Sequence, residues 1–308
     1  MVFSHLVYTE IDEIMKYIIR FLLFSICLII LVFLLFIVRA NKQLKPILSN
    51  ENPPINQQRE ARVLSAFFGL DNALPLRAVA LTWKAPGKDG MPVVFSEEID
   101  PNSLDASDFN IRTAKGNSLD VDVVTLRPAV EAFELRTVLL IGEFGNHPDD
   151  EPVEVSITGD LLSRSGQNYK GKKVKVTPLA KGPFLSYAEY FKLDDNHPYK
   201  EEGSGCDCPK GNTSIVVRTV WAGGVRALNG KELGTEELQN FKVDLLNGND
   251  TVQVHPFQIA DIGDNDNNID LCIDNEGIPL KVSVEARTAI DPRDDANDFT
   301  SSEVVSRW

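Results

Sequence analysis

The sequence predicts an all-β protein, in which tandem antiparallel β-sandwiches follow one N-terminal transmembrane helix. Three observations favour this fold class. An uncharged apolar run extends over Phe21–Val38. From Leu76 onward, short segments rich in β-branched and aromatic residues alternate with turn residues, as is typical of sandwiches. No long amphipathic helical pattern interrupts these segments, which disfavours βαβ units and a parallel sheet.

Length and charge narrow the class of protein. The 308 residues suffice for about two domains. Hydrophobic residues make up 43% of the chain, so it can bury a core. The formal net charge of −14 repels phosphates, and nucleic acid is therefore excluded as a main partner.

Residues 17–38 are predicted to contact the membrane. Their apolar run is long enough to cross a bilayer, which takes about 17–25 residues. Basic residues flank the run on both sides, so they do not decide its orientation. A start at Met15 instead of Met1 would read MKYIIR directly into the run, as in a secretory signal. We expect an uncleaved signal anchor with the rest of the chain outside the cytoplasm, and a cleaved signal with a secreted product is the alternative.

Composition changes along the chain predict its division. The segment 41–70 contains Pro46, Pro53 and Pro54 among polar residues, which indicates an exposed linker, although its apolar stretch Ala61–Leu70 fits a helical turn or a strand. The predicted parts are a cytoplasmic tail with the membrane anchor or signal (1–40), the linker (41–70), a first sandwich (71–178), an interdomain segment (179–211) and a second sandwich with an acidic loop (212–308).

Seven short strands are predicted in the first sandwich, because each is an apolar or β-branched run bounded by turn residues. They are Ala78–Trp83, Pro92–Phe95, Phe109–Thr113, Val121–Leu126, Val138–Ile141, Val153–Thr158 and Val174–Thr177.

The stretch Met91–Asn117 resembles the bacterial Ig-like domains of surface-layer and other cell-surface proteins. The residues that carry the resemblance are Phe95, Ser96, Asp100, Pro101, Ser103, Leu104 and Phe109, and the family's last turn is matched by Gly159–Leu161 with Ser165 and Gly166. It extends over about Leu76–Pro178, and it departs from the family's pattern in lacking a Tyr-Thr strand before the last turn. The resemblance implies an Ig-like sandwich and a cell-surface setting, and it implies no reaction.

The second half of the chain is interpreted as a diverged repeat of the first. Segments of similar residue type recur at a shared spacing, and chance similarity between β-strands is the alternative. The paired segments are Phe109–Asn117 with Phe241–Asn249, Leu139–Ile141 with Leu271–Ile273, and Pro152–Ile157 with Pro279–Val284; Trp83 and Trp221 are each placed at the end of an opening strand.

A calcium site is predicted in the acidic loop of the second sandwich. Its candidate ligands are Asp264, Asp266, Asn268 and Asp270, whose alternate spacing can turn several hard oxygens toward one cation. The loop is not an EF-hand, because Ile269 replaces the turn glycine and Asn275 takes the position of the bidentate glutamate. The alternative is a solvated acidic loop stabilised by Asx-turns.

The cysteines outside the apolar run offer a second candidate site. They are Cys206, Cys208 and Cys272, which are too few for a disulfide framework. In an oxidising compartment we expect one disulfide, from Cys272 to either Cys206 or Cys208. A zinc site that joins these three residues to His255 is the alternative.

The favoured function is that of a membrane-anchored or secreted structural or interaction protein of the cell envelope, with a protein or glycan partner at the cell surface. Loops at the ends of sandwiches suit such binding. The alternative is an extracytoplasmic metal-dependent hydrolase that uses the acidic loop and His255. The sequence contains no nucleophile elbow and no paired histidine motif, so the enzyme interpretation is the weaker one.

Overall fold

The computed structural model describes residues 15–16, 18–32, 60–131, 133–193, 206–260 and 266–307. The chain forms two compact units, Met1–Lys45 and Pro46–Trp308. The second unit contains two eight-stranded sheets, and we call residues 60–177 the first half and residues 185–307 the second half.

The predicted transmembrane helix is not supported. Residues 18–32 are helical, and the continuation of the apolar run over 33–38 lies outside the described residues. Within the described part of the chain, no helix has both the length and the apolar character needed to span a membrane.

The first half consists of eight strands and three short 3-10 helices. The helices are Leu76–Ala80, Pro101–Ser103 and Ala106–Asp108. The strands are β1 (Val63–Phe67), β2 (Asp89–Phe95), β3 (Phe109–Thr113), β4 (Ser118–Asp120), β5 (Val123–Thr125), β6 (Thr137–Gly142), β7 (Pro152–Ile157) and β8 (Lys173–Thr177).

These strands form one sheet in the order β4-β3-β7-β8-β1-β2-β6-β5. All neighbours are antiparallel except β1 and β8, which pair in parallel through Ala66 with Val176 and Phe67 with Thr177. The prediction of tandem antiparallel Ig-like sandwiches is therefore wrong. Because the first and last strands pair, the two groups of strands that a sandwich keeps as separate sheets join into a single sheet curled like a half-barrel.

The second half repeats this arrangement. Its strands are β9 (Leu185–Phe191), β10 (Ile215–Trp221), β12 (Phe241–Asn247), β13 (Asp250–Val254), β14 (Gln258–Ala260), β15 (Asn268–Ile273), β16 (Ile278–Val284) and β18 (Thr300–Ser306). A small separate sheet pairs β11 (Arg226–Ala227) with β17 (Ala289–Ile290), and Leu238–Asn240 is a 3-10 helix. The large sheet has the order β13-β12-β16-β18-β9-β10-β15-β14, with β18 and β9 parallel.

Both large sheets have the same strand order, with β9 at the position of β1 and β18 at that of β8. The segments that sequence analysis paired fall on equivalent strands, β3 with β12, β6 with β15 and β7 with β16. The two tryptophans are not equivalent. Trp221 ends β10, whereas Trp83 follows a 3-10 helix, so the predicted strand Ala78–Trp83 is wrong.

The central strands of the second half are buried on both faces. All seven residues of β10 and all six of β15 are buried. In β15, Ile269, Leu271 and Ile273 face the interior of the curled sheet. The alternate residues of the same strand point to the opposite face, where the first half covers them. This covered face carries the polar residues that join the two halves.

Candidate functional site

Polar contacts join the two halves along the covered face of β9, β10 and β15. The Ser65 hydroxyl lies 2.7 Å from that of Ser186. The Asn267 amide donates to Thr137 Oγ1 at 2.9 Å and to the Trp221 carbonyl at 2.7 Å. These bonds surround a cluster of buried charges, which we call the junction network: Arg136, Arg218, Arg307, Glu134, Glu189 and Asp270.

Arg218 and Asp270 form one part of the junction network. They face each other across the antiparallel pair β10–β15. The guanidinium is bidentate on the carboxylate, with Nε at 2.7 Å from Oδ1 and Nη2 at 2.8 Å from Oδ2. The third nitrogen, Nη1, lies 3.3 Å from Glu134 Oε1 in the first half. The fork matches the Asp270 carboxylate in shape and charge within the second half, and the contact of Nη1 with Glu134 connects Arg218 to the first half.

Glu189 of β9 forms the other part of the network. Its carboxylate accepts a hydrogen bond from Arg136 Nη2 of the first half at 3.0 Å, and another from Arg307. Arg307 also donates to the Phe133 carbonyl at 2.8 Å. Both arginines and the glutamate have side chains only 2% exposed.

Aromatic rings enclose the guanidinium groups of this second part. The Arg136 guanidinium lies 4.3 Å from the Tyr187 ring centroid, and that of Arg307 lies 4.1 Å from the Phe133 ring and 5.0 Å from the Phe191 ring. At these distances the ring quadrupoles attract the cations. The rings also exclude water, which strengthens the charge interactions inside.

The arginines keep Glu189 ionised despite its burial. Burial alone would raise the pKa of this carboxyl, but the charges of Arg136, Arg307 and Arg218 outweigh it and lower the pKa to about 2. Glu189 is therefore a carboxylate at neutral pH and does not exchange protons there. The network can hold the two halves together, and it is not suited to general acid–base chemistry near neutral pH.

Of the predicted calcium ligands, the structure describes Asp266, Asn268 and Asp270, and it brings the first two together. Asp264 lies outside the described residues. Asp266 accepts hydrogen bonds from the Asn268 backbone at 2.6 Å and from the Asn268 amide at 2.8 Å. Both oxygens of Asp270 are bound by Arg218, as described above. Among the described residues, no three acidic, histidine or cysteine side chains are grouped so as to hold a metal ion. The calcium site stays a prediction.

The cysteines lie beside the junction network. Cys208 and Cys272 form a disulfide that joins the end of β15 to the segment before β10. The third thiol, Cys206, is free. Burial and the neighbouring Asp270 carboxylate raise the pKa of the Cys206 thiol, so it stays protonated and is a poor nucleophile.

His255 does not complete a metal site with these residues. Its Nδ1 lies 2.7 Å from the carbonyl oxygen of Phe241. The alternative zinc site would need Cys208 and Cys272 as thiolates, whereas the two sulfurs are bonded to each other.

The sequence alone does not reveal Arg136, Arg218, Arg307, Glu134 and Glu189 as members of one site. One signal was available in β10, where Arg218 stands in the apolar run IVVRTVW. A cation inside such a strand indicates a buried partner, because an unpaired buried charge is costly. The partner itself is not marked in the sequence.

Comparisons with known proteins do not place this chain in a family. No protein-family model matches it, and no curated protein matches it. Membership of the bacterial Ig-like family is therefore not shown. Among solved structures, the chain is similar to the S-layer protein rSbsC(31-844), with 9% sequence identity and a TM-score of 0.27. The alignment covers 80% of this chain and 41% of that one, so this chain spans about two fifths of that protein's length.

Proposed function

We propose that this protein is an extracytoplasmic structural or interaction protein whose two β halves act as one rigid body. The observation that carries the proposal is the junction network, in which charges of the first half pair with charges of the second and are almost completely buried.

Separating the halves would break these pairs. A buried ion pair is weak evidence for stability as such, because desolvation of the two ions offsets their attraction. Leaving one partner buried without the other is costly, by about 3–5 kcal/mol. The relative placement of the halves is therefore specified, since any other placement separates Arg136 from Glu189 and Glu134 from Arg218. A fixed spacing between two modules suits a protein that bears load or presents a surface.

The disulfide supports the extracytoplasmic setting. Disulfides such as Cys208–Cys272 persist in oxidising compartments and are rare in the cytosol. The net charge of −14 is in keeping with a soluble surface that does not adsorb to nucleic acid or to anionic lipid.

Hydrogen exchange of the full chain under mild denaturant tests the rigid-body proposal. We expect the amides of β2 and β6 to lose protection at the same free energy of opening as those of β10 and β15, because the halves unfold together. Opening of one half at a free energy several kcal/mol below that of the other would contradict the proposal.

A further inference from the structure

A shallow groove lies where the chain passes from the first half to the second. Its volume is about 380 Å³. One wall is the end of β8 with the turn that follows it, and the other is the segment before and at the start of β18. We call it the lysine groove, and the residues that matter are Lys175, Lys181, Asp298, Phe299 and Thr300.

The segment beside the groove is basic in an acidic protein, and two lysines and one aspartate line the groove itself. Five lysines and no acidic residue occur between Lys170 and Lys181, although the net charge of the chain is −14. Three of these lysines have ion-pair partners, namely Asp160 at 3.2 Å, Glu60 at 3.3 Å and Glu154 at 3.6 Å. The remaining two, Lys175 and Lys181, are exposed and have no ion-pair partner among the described residues.

Two acidic residues lie near these lysines. Glu154 pairs across the sheet with Lys175, but its carboxylate lies 3.6 Å from both Arg112 and Lys173. Asp298 lines the groove itself. The two unpaired ammonium groups are therefore free to bind anions, while one carboxylate remains in the groove to accept hydrogen bonds.

An aromatic ring borders the same groove. Phe299 is 57% exposed, which is high for a side chain of its size. Scattered apolar residues on a surface need no explanation. Here, however, the ring stands beside two unpaired cations and a carboxylate, and this combination offers a stacking face together with charged and polar contacts.

The walls of the groove are held in place before any ligand binds. A Cβ at Gly182 would lie only 2.0 Å from the Ala296 carbonyl oxygen, so the two walls touch backbone to backbone. Arg293 Nη1 donates to the Leu179 carbonyl at 2.9 Å, and the Leu185 amide donates to Thr300 Oγ1 at 3.0 Å. Such a preformed site loses little conformational entropy on binding.

We propose that the lysine groove binds an anionic polysaccharide. Lys175 and Lys181 pair with carboxylate groups of the polymer, a sugar ring stacks on Phe299, and Asp298 accepts hydrogen bonds from hydroxyl groups. An open groove suits a chain-like ligand better than an enclosed cavity does. This names the partner of the proposed interaction protein and rests on that function for its setting, whereas the groove itself does not depend on the rigidity of the junction network.

Calorimetry of the full chain with polygalacturonate tests the proposal, with uncharged dextran as the neutral polymer. We expect polygalacturonate to bind and dextran not to bind. The double variant Lys175→Gln/Lys181→Gln should weaken binding about tenfold or more, because it removes both charge-assisted contacts. Phe299→Ala should weaken it several-fold through loss of stacking. The matched control is Lys170→Gln/Lys172→Gln, which removes the same charge from the same segment outside the groove and should change binding less than about twofold.

Three results would overturn the proposal. An equal loss in the Lys170→Gln/Lys172→Gln control would mean that general charge, and not the groove, attracts the polymer. Equal binding of polyglutamate would mean that the sugar is not recognised. Self-association in sedimentation that only Lys175→Gln/Lys181→Gln abolishes would mean that a second acidic copy of this chain occupies the groove. In each case the coincident hydrogen exchange of the two halves would be unaffected, so this failure is distinguishable from failure of the rigid-body proposal.

Discussion

The two halves of the molecule share one strand order, but Asp89 of the first half and Glu189 of the second are buried in opposite ways. In the first half, Asp89 at the start of β2 is fully buried. Its carboxylate accepts hydrogen bonds from the backbone amides of Asn72 at 2.6 Å and Phe144 at 2.5 Å. Burial raises its pKa to about 6, although those amides lower it in part. In the second half, Glu189 is buried among arginines and its pKa is held at about 2.

This difference shows that topology does not decide whether a buried acid stabilises the fold. Amide dipoles compensate Asp89 only partly, so its ionised form is disfavoured in the folded state. Full positive charges overcompensate the burial of Glu189. Ionised Asp89 therefore destabilises the folded first half. Ionised Glu189 instead binds Arg136 and so connects the second half to the first.

Removing Glu189 should have the largest effect. Glu189→Ala leaves Arg136 and Arg307 buried without their carboxylate, and we expect the free energy of unfolding to fall by about 3–5 kcal/mol. Urea denaturation of the full chain measures it. The matched control is Glu303→Ala at an exposed position of β18, which should change stability by less than about 0.5 kcal/mol. A loss no larger than that of the control would mean that the two carboxylates are equivalent after all.

Breaking the disulfide should have the next largest effect. Cys208 and Cys272 are separated by 64 positions, and closing a loop of this length constrains the unfolded chain. We expect Cys208→Ala/Cys272→Ala to lower the free energy of unfolding by about 2–4 kcal/mol, as measured by urea denaturation without reductant. Cys206→Ala serves as the control, because its thiol is unbridged. Full alkylation of all cysteines in freshly lysed cells without reduction would contradict both the disulfide and the extracytoplasmic setting.

The pH dependence of stability should show the opposite behaviour of the two acids. Because the folded-state pKa of Asp89 is raised, the contribution of this residue to the free energy of unfolding is most favourable below about pH 3.8. This contribution is lost as the pH rises through 6. Because the folded-state pKa of Glu189 is lowered, the contribution of this residue to the free energy of unfolding is present above about pH 4.5. This contribution is lost as the pH falls toward 2.

Asp89→Asn isolates the first of these effects. Between pH 4 and 7 we expect the wild type to lose up to about 3 kcal/mol relative to Asp89→Asn, which cannot ionise. The variant has lower stability at pH 4, since its amide nitrogen cannot accept the second backbone hydrogen bond, so the pH slope is the readout. Asp120→Asn on exposed β4 should keep the wild-type slope. Parallel slopes for the wild type and Asp89→Asn would show that Asp89 is ionised without penalty.

The sequence by itself predicted most of the β-strands of the first half, and it paired segments of the two halves that fall on equivalent strands. Predicted runs such as Phe109–Thr113 and Val174–Thr177 coincide with β3 and β8, because alternation and β-branching act locally. The predicted strand Ala78–Trp83 is wrong, because a 3-10 helix begins after Pro75. Tertiary packing of Ala78 and Leu74 decides this conformation. Sequence analysis also narrowed the disulfide to two pairings with Cys272.

Only the tertiary structure decided what lies together at the junction. Arg136 and Glu189 are 53 positions apart, and no local pattern specifies that they meet. No local pattern specifies that Cys272 is bonded to Cys208 and not to Cys206. Nor does one specify the pairing of β1 with β8, which joins two groups of strands into one sheet. The physical reason is that strand propensity depends on neighbours in the chain, whereas the pairing of buried charges, sulfurs and sheet edges depends on residues that approach only once the chain has folded.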